Sequence, residues 1–403
     1  MNPVVITGMG AISAYGVGVE ALLNGVGSKR SAIESSDLLA GHPCDLAAMI
    51  PTDFVAAEHL PPKLARKMDR SQAIGAIAAQ EAIRSALGAI SVDEQCGLFM
   101  GSAFGPLESV ESSFKLLKSK RNTRYNPVSL LRFQFNGLTA WPAIQHNLRG
   151  PNEAVAAFQA SGLITVGQAA RYIREGQTQQ MVAGAADTIR EEVHVALTGA
   201  GAIHSDPTTP PGLRAFDENA RGTILGEGAG AFFLEDEARA AERDAVVHAQ
   251  VLGMGQAHTG CPPDRTSVDP SALVAAIGAC LVEAEMAPEN IELIVATGSG
   301  IPAEDRVEAD AIALALGDQT AGTPILALKG YTGHTMGASG VLEAMIAIHS
   351  ARKGLLPPTP GLKRPISSLE YLLEKDREHR ARLILTLAHG IGGHCAALLL
   401  RIP

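Results

Sequence analysis

The chain has 403 residues, 46% of them apolar and 19% charged, with 42 glycines and only 4% aromatics. That size and composition describe a globular protein with ample core, its helices and strands packed closely on small side chains. A net charge of -9 argues against nucleic acid and anionic membrane as main partners, and an acidic protein partner would need a local basic patch.

Taken in order, the chain opens with a β-branched strand, Val4 to Thr7, closed by Gly8, Met9 and Gly10. A helix-period segment from Ser71 to Leu87 follows, then a strand ending in Gly101-Ser102. Pro151 to Asp187 reads as a strand entering a sharp turn at Phe158 and Gln159, a helix of small residues from Ala160, a stop at Gly176 and a second buried strand, Met181 to Ala185. That helix is apolar or small on most faces (Leu163, Ile164, Val166, Ala169, Ala170, Ile173), so it belongs in a central layer. Strand Gly230 to Glu235 leads to a polar joint, Asp236 to Ala245, that lacks Pro/Gly linker composition.

The pattern then restarts. Val246 to Leu252 is a strand closed by Gly253, Met254 and Gly255; Ser271 to Glu285 is helical; Leu293 to Thr297 is a strand ending in Gly298-Ser299. Ile325 to Lys329, the turn GYTGHTMGASG and a helix from Val341 to Arg352 repeat the strand, elbow and helix of the first half. Leu383 to Leu387 and Cys395 to Arg401 are the closing strands. Two β-α-β-type halves, 1–245 and 246–403, imply pseudo-twofold symmetry in one fused α/β unit, with mixed sheets packed face to face around buried helices. Thr52 to Asp69, Leu107 to Asn147 and Thr198 to Arg221 interrupt the repeat and are read as cap, interface and loops.

The five cysteines, Cys44, Cys96, Cys261, Cys280 and Cys395, are scattered and form no CxxC pair, so neither a zinc site nor a disulfide framework is expected, and no cofactor is implied. No basic segment precedes the first strand and no run approaches the roughly 18 apolar residues of a membrane span, so a cytoplasmic protein is expected. Gly8, Gly10 and Gly16 miss the G-x-G-x-x-G spacing, because Ser13 takes the third place, and Gly226 to Gly230 runs into a strand instead of opening a helix. A nucleotide cradle is therefore not expected.

The two elbows are the candidate site. A residue there presents side chain and backbone N–H together at a helix N-terminus, where partial positive charge favours an anion and lowers a thiol's pKa. A nucleophile would sit at such a point, yet the position holds Gln159, whose amide is neither nucleophilic nor ionisable; helping to satisfy a helix terminus is its plainer role. Lys329 and His334 lie in the second elbow, and pseudo-symmetry brings both elbows to the sheet centre, where a functional and a purely structural use are both open.

VVITGMGAIS, the elbow segment with its ARYIREG helix and MVAGAAD strand, FDENARGTILGEGAGAFFLED, KGYTGHTMGASGVLEA and HGIGGHCAALLL together resemble the condensing-enzyme family of β-ketoacyl synthases, in the family's order over nearly the whole chain. The resemblance implies a thiolase-like α-β-α-β-α five-layer fold with two pseudo-symmetric halves. Active members carry Cys-His-His: a Cys in a pattern like T-A-C-A-S-G, a His in N-A-H-G-T-x-T-P and a second His in K-x-x-T-G-H-T. Against those patterns, AFQASG places Gln159 at the Cys and VATGSGIP places Thr297 at the first His, while Lys329 and His334 match. Glu343 falls where the family pairs a carboxylate with that Lys, and His389 precedes the Gly390 to Gly393 turn where a gating aromatic is usual.

Without a thiolate no acyl-enzyme forms at Gln159, so no independent condensing activity is expected. The Gln-for-Cys pattern is similar to that of the chain-length factors, the ketosynthase-like β subunits of type II polyketide synthases. That likeness implies a heterodimer with an active ketosynthase α subunit, acting on chains carried by acyl carrier protein, with an interface tunnel that limits polyketide or polyene length. The helix after Gly105 would supply the tunnel end through Leu107, Val110 and Phe114, spaced i, i+3, i+7, with Phe133 and Phe135 as further contacts. Three alternatives stand beside it. One is a malonyl-acyl carrier protein decarboxylase of the Gln-for-Cys type, for which Thr297 removes one of two His donors; another is a condensing enzyme with an unrecognised nucleophile; the last is a purely structural ketosynthase partner.

Overall fold

Strands form where β-branched and small apolar residues run together, and the two halves place them in matching order. The computed structural model describes residues 2–119, 128–204, 212–262, 264–317 and 322–403. Parts of the segments read as interface and loop, 120–127 and 205–211, lie outside the described residues. The first half contributes β1 (Val4–Ser13), β2 (Gly97–Gly101), β3 (Asn152–Val155), β4 (Gln180–Asp187) and β5 (Gly228–Asp236). The second contributes β6 (Ala249–His258), β7 (Leu293–Val295), β8 (Ile325–Leu326), β9 (Leu383–Ala388) and β10 (His394–Arg401). The helices that position the site are α1 (Arg70–Leu87), α2 (Leu107–Lys118), α3 (Ser161–Arg174), α4 (Glu237–Glu242), α5 (Ser271–Glu283), α6 (Pro302–Leu316) and α7 (Ser339–Lys353).

The strands run in the order β8-β7-β9-β10-β6-β1-β5-β4-β2-β3. Outward from the central β6/β1 pair, each half pairs antiparallel, antiparallel, parallel, parallel. The duplication read from the sequence is therefore a duplication of topology. The sheets of the two halves, one on each side of the central helices, run into one another along one edge, where Val4 pairs with Val251, Val5 with Gln250 and Ile6 with Ala249. β1 and β6 would each end its half as a buried edge, and buried backbone groups must find partners, so they pair with each other.

The sheet carries α1 on the outer face of β1, β4 and β5, and α5 on the outer face of β6 and β10. α3 packs on β2, β4 and β5 from one half and on β6 and β10 from the other, with α7 beside it. This is the α-β-α-β-α five-layer, thiolase-like arrangement. The central helices approach so closely that only glycine fits: a Cβ on Gly162 would lie 2.6 Å from the Gly337 carbonyl oxygen, and one on Gly340 2.7 Å from Leu163 Cγ. The abundance of small residues in the composition is used here.

Local differences from the sequence reading have local causes. The strand expected over Ile325 to Lys329 ends at Leu326, because Tyr331 N–H turns back to the Leu328 carbonyl at 2.9 Å and starts a helical turn, Lys329–Thr332. The helix expected from Val341 begins at Ser339. The polar joint holds α4, whose start is capped by the Asp236 carboxylate accepting from Ala238 N–H at 3.0 Å. Among the described residues, no helix is long and apolar enough to cross a membrane.

Candidate functional site

Both elbows carry a non-glycine residue in the left-handed region, Phe158 at φ 51° before α3 and Met336 at φ 50° before α7. Such backbone costs about 1–3 kcal/mol and persists only where surrounding structure enforces it. Asp187, the last residue of β4, is one enforcing group. Its buried carboxylate accepts from Ser102 Oγ at 2.6 Å, Ala103 N–H at 2.9 Å, Phe104 N–H at 3.1 Å and Gly337 N–H at 2.9 Å. Burial raises this carboxyl to about 6 despite those donors. One side chain thus fastens the first half to the second elbow.

Gln159 is buried at the start of α3, and its amide lies over Gly390, where a Cβ would fall 1.5 Å from Gln159 Oε1. It fills the space at the elbow instead of reaching a reacting group. Thr297 is spent on its neighbours: its N–H donates to Glu308 at 2.6 Å, its Oγ1 accepts from His389 N–H at 3.2 Å, and its carbonyl accepts from Lys329 Nζ at 2.5 Å. Lys329 also reaches both oxygens of Glu343, at 2.8 and 3.1 Å, in a fully buried ion pair. Burial pushes the Glu343 carboxyl up to about 7, against the pull of Lys329. In His334, Nδ1 accepts from Met336 N–H at 3.1 Å, so the proton sits on Nε2. Burial first, then Lys329 and His389, hold this imidazole well below its usual pKa, and it is neutral.

The sequence places His389 ahead of the Gly390 to Gly393 turn, where the resemblance implies a gating aromatic. In the fold its Nε2 lies 3.5 Å from a Glu308 carboxylate oxygen, forming a buried ion pair. Burial opposes its charge, but Glu308, with Glu304 and Asp305 beside it, outweighs burial and raises the imidazole above 6.5. Glu304, Asp305 and Glu308 form a buried acidic face on α6 that the sequence reading did not single out. A signal existed in PAEDRVEAD, where the helix turns carboxylates inward, but apolar periodicity alone ranks those positions as solvent-facing. His389 therefore meets Thr297 through its backbone N–H and turns its imidazole to Glu308, which also accepts from Thr297 N–H.

The elbows and their ion pair are brought together; the tunnel residues are divided. Leu107 packs against the same buried cluster as Phe104 and Phe158, whose rings meet edge to face at 5.3 Å. Phe135 packs against Gly105 and the core beneath α1, while Val110 and Phe133 are half-buried. Phe114 stands out at 60% exposed, with Leu116 and Leu131 also exposed nearby in sequence. The i, i+3, i+7 stripe thus runs from packed at Leu107 to bare at Phe114. No described cysteine sits at an elbow; burial pushes the thiols of Cys280 and Cys395 up to about 12. Among the described residues, no group of three or more His, Cys, Asp or Glu is placed to hold a metal.

Comparison with known proteins matches residues 1–240 to the family description "Beta-ketoacyl synthase, N-terminal domain" and residues 248–363 to "Beta-ketoacyl synthase, C-terminal domain". The chain is 32% identical over 416 residues to an actinorhodin polyketide beta-ketoacyl synthase 1 of Streptomyces coelicolor, covering 99% of this chain and 88% of that protein. It is 31% identical over 377 residues to the 3-oxoacyl-[acyl-carrier-protein] synthase 2 of Vibrio cholerae, covering 91% and 90%. Among solved structures, the ishigamide ketosynthase/chain length factor superposes with a TM-score of 0.91 at 26% identity, covering 100% of this chain and 99% of that one. A beta-ketoacyl synthase from Burkholderia phymatum gives 0.90 at 26% identity, with both chains fully covered.

Proposed function

We propose, for a chain that belongs to the β-ketoacyl synthase family, that it is a chain-length factor: a subunit without condensing activity of its own that pairs with an active ketosynthase α subunit. In the pair it bounds a tunnel at the interface and limits how far a polyketide or polyene chain on acyl carrier protein can grow. The observation that carries the reading is Gln159, buried at the elbow with its amide against Gly390, in the place where the family's Cys would have to stand. A condensation needs a thiolate there, and an amide supplies none. Likeness to a ketosynthase/chain length factor structure supports the same reading. So does the exposed end of the α2 stripe at Phe114, an apolar surface that pairing would cover.

The test is acylation and assembly. Expressed alone, the chain is expected to take no covalent label from acyl carrier protein bearing an acyl group. Coexpressed with a cognate ketosynthase, it is expected to elute as a stable heterodimer whose product length depends on this chain. Covalent acylation of the isolated chain, or a ketosynthase that ignores it, overturns the proposal.

One observation favours a second reading, decarboxylation of a malonyl thioester. Thr297 lacks the imidazole that would share an enolate oxygen with His334, but His389 brings one to the same neighbourhood. Carbon dioxide release from malonyl-acyl carrier protein, lost in His334→Ala, would select this reading over a purely structural subunit.

A further inference from the structure

β1 outruns its neighbour at the centre of the fold. Its pairing with β6 stops at Ile6 and Ala249, where His248 N–H donates to the Ile6 carbonyl at 2.8 Å, and β1 continues to Ser13. Backbone groups left without a strand need other partners. Glu81 of α1 is one, its carboxylate accepting from Ala11 N–H at 2.8 Å and, at the start of the helix Val19–Gly27, from Val19 N–H at 2.9 Å. Met9 and His248 both line a crevice of about 610 Å³ at this point, a volume in the usual range of ligand pockets. Side chains of α1 from an outer layer and of α7 from the central layer meet in its lining, where an unbroken sheet would keep them apart.

The crevice has an apolar floor and a charged rim. Met9, Met345 and Ile348 are buried in it, and Val19 and Leu23 are half-buried along one wall. Arg84, Arg352 and Lys353 stand exposed at the rim, and among the described residues none of the three forms an ion pair with a carboxylate. Each lies in the last turn of its helix, where a cation suits the carbonyl end. A helix end carries only about half a charge, so the two cations closing α7 exceed what that end can use. Of the carboxylates in the lining, Glu81 is held by its two N–H donors, which leaves Glu20 against three cations. The imidazoles beside them record the surplus. Burial first, then Arg352, holds His248 below its usual pKa, and burial, Lys353 and Arg352 do the same to His349. Arg352 donates to His248 Nδ1 at 3.2 Å, which keeps its guanidinium at the crevice.

An apolar floor favours a hydrocarbon body, and unmatched cations at the rim favour an anionic head at one end of it. Guanidinium groups suit a carboxylate or a phosphate equally. The place is separate from the elbows. α7 begins at Ser339, whose Oγ lies 3.1 Å from His334 Nδ1, and Arg352 and Lys353 close its opposite end. At roughly 1.5 Å of rise per residue, that end is about 20 Å from the elbow.

We propose that the crevice between α1, α7 and the helix Val19–Gly27 binds a small amphiphilic anion, its apolar body on Met9, Met345 and Ile348 and its carboxylate or phosphate head at Arg84, Arg352 and Lys353. The site goes beyond the chain-length reading without resting on it. The experiment follows the isotope-labelled methyl resonances of Met9 and Met345 in the full chain during titration with octanoate and with octyl phosphate, at constant ionic strength and below micelle formation. Octanol is the neutral control, and acetate is the head without a body. Saturable shifts of both methyls with an octyl anion are expected, at an affinity about tenfold above those of octanol and acetate. The tighter of the two anions identifies the head. Arg84→Gln, Arg352→Gln and Lys353→Gln should each weaken anion binding about threefold, as loss of one exposed ion pair does, and leave octanol unchanged. The proposal is overturned if octanol binds as tightly as the anions, if affinity is unchanged in all three variants, or if the Met9 and Met345 methyls show no saturable shift.

Discussion

At the scale of single residues, the buried charges are where substitution tells most. Lys329 and Glu343 satisfy each other at 2.8 Å, and Lys329 also holds the Thr297 carbonyl. Removing one partner strands the other charge in the interior, so Lys329→Met is expected to cost about 3–5 kcal/mol in urea unfolding. The double variant Lys329→Met with Glu343→Leu should recover most of that loss; if it is worse than the single, the pair contributes through more than its charges. His389 gives a pH test. Its imidazole is raised above 6.5 by Glu308, so its contribution is fully present below 6.5, the unfolded value, and is lost as pH rises through the folded pKa. The stability difference between the protein and His389→Phe, measured by urea titration across neutrality, should therefore shrink on the alkaline side. A difference that grows with pH would mean that the imidazole is neutral in the fold. Gln159, Lys329 and His334 stand out in the sequence because the elbows are marked by small and glycine-rich turns, whereas Thr297 and Glu343 are singled out only by the family resemblance; the fold gathers all five near the two elbows. The link between His389 and Glu308 was not legible in the sequence, because the two residues come from different elements and meet only when β9 and α6 are packed.

At the scale of elements, α2 separates packing from interface. The helical spacing of Leu107, Val110 and Phe114 predicts one face, but spacing cannot say what covers it; burial can. Leu107 packs against the buried cluster that Phe104 and Phe158 also join, while Phe114 meets solvent in the single chain. Phe114→Ala should change the stability of the isolated chain by no more than about 0.5 kcal/mol, as exposed substitutions do. In the proposed heterodimer it should lengthen the products if that ring closes the proposed tunnel. An unchanged product profile from a correctly assembled pair would remove Phe114 from the role. The central helices were the most readable elements, since α3 is small or apolar on nearly every face and no other layer tolerates such a helix. Their glycine contacts were not readable, because which helix faces Gly162 and Gly340 depends on a crossing that sequence does not print.

At the scale of the molecule, the repeat predicts two halves, and the fold shows why neither half is a domain in the energetic sense. α3 belongs to the first half by sequence, yet it buries one face against β2, β4 and β5 and another against β6 and β10. The sheet crosses the joint through β1 and β6, and Asp187 of the first half caps the second elbow through Gly337 N–H. Separating the halves would expose the apolar faces of both central helices and a row of unpaired backbone groups along β1 and β6. Residues 1–245 and 246–403 expressed as separate chains are therefore expected not to fold alone. The full chain should unfold in a single calorimetric transition, with calorimetric and van't Hoff enthalpies in agreement. Two resolved transitions, or a soluble and cooperatively folded first half, would show that the duplication still behaves as two domains. A single transition would also bear on the proposed chain-length role, because a wall of fixed length would require the two halves to behave as one cooperative body.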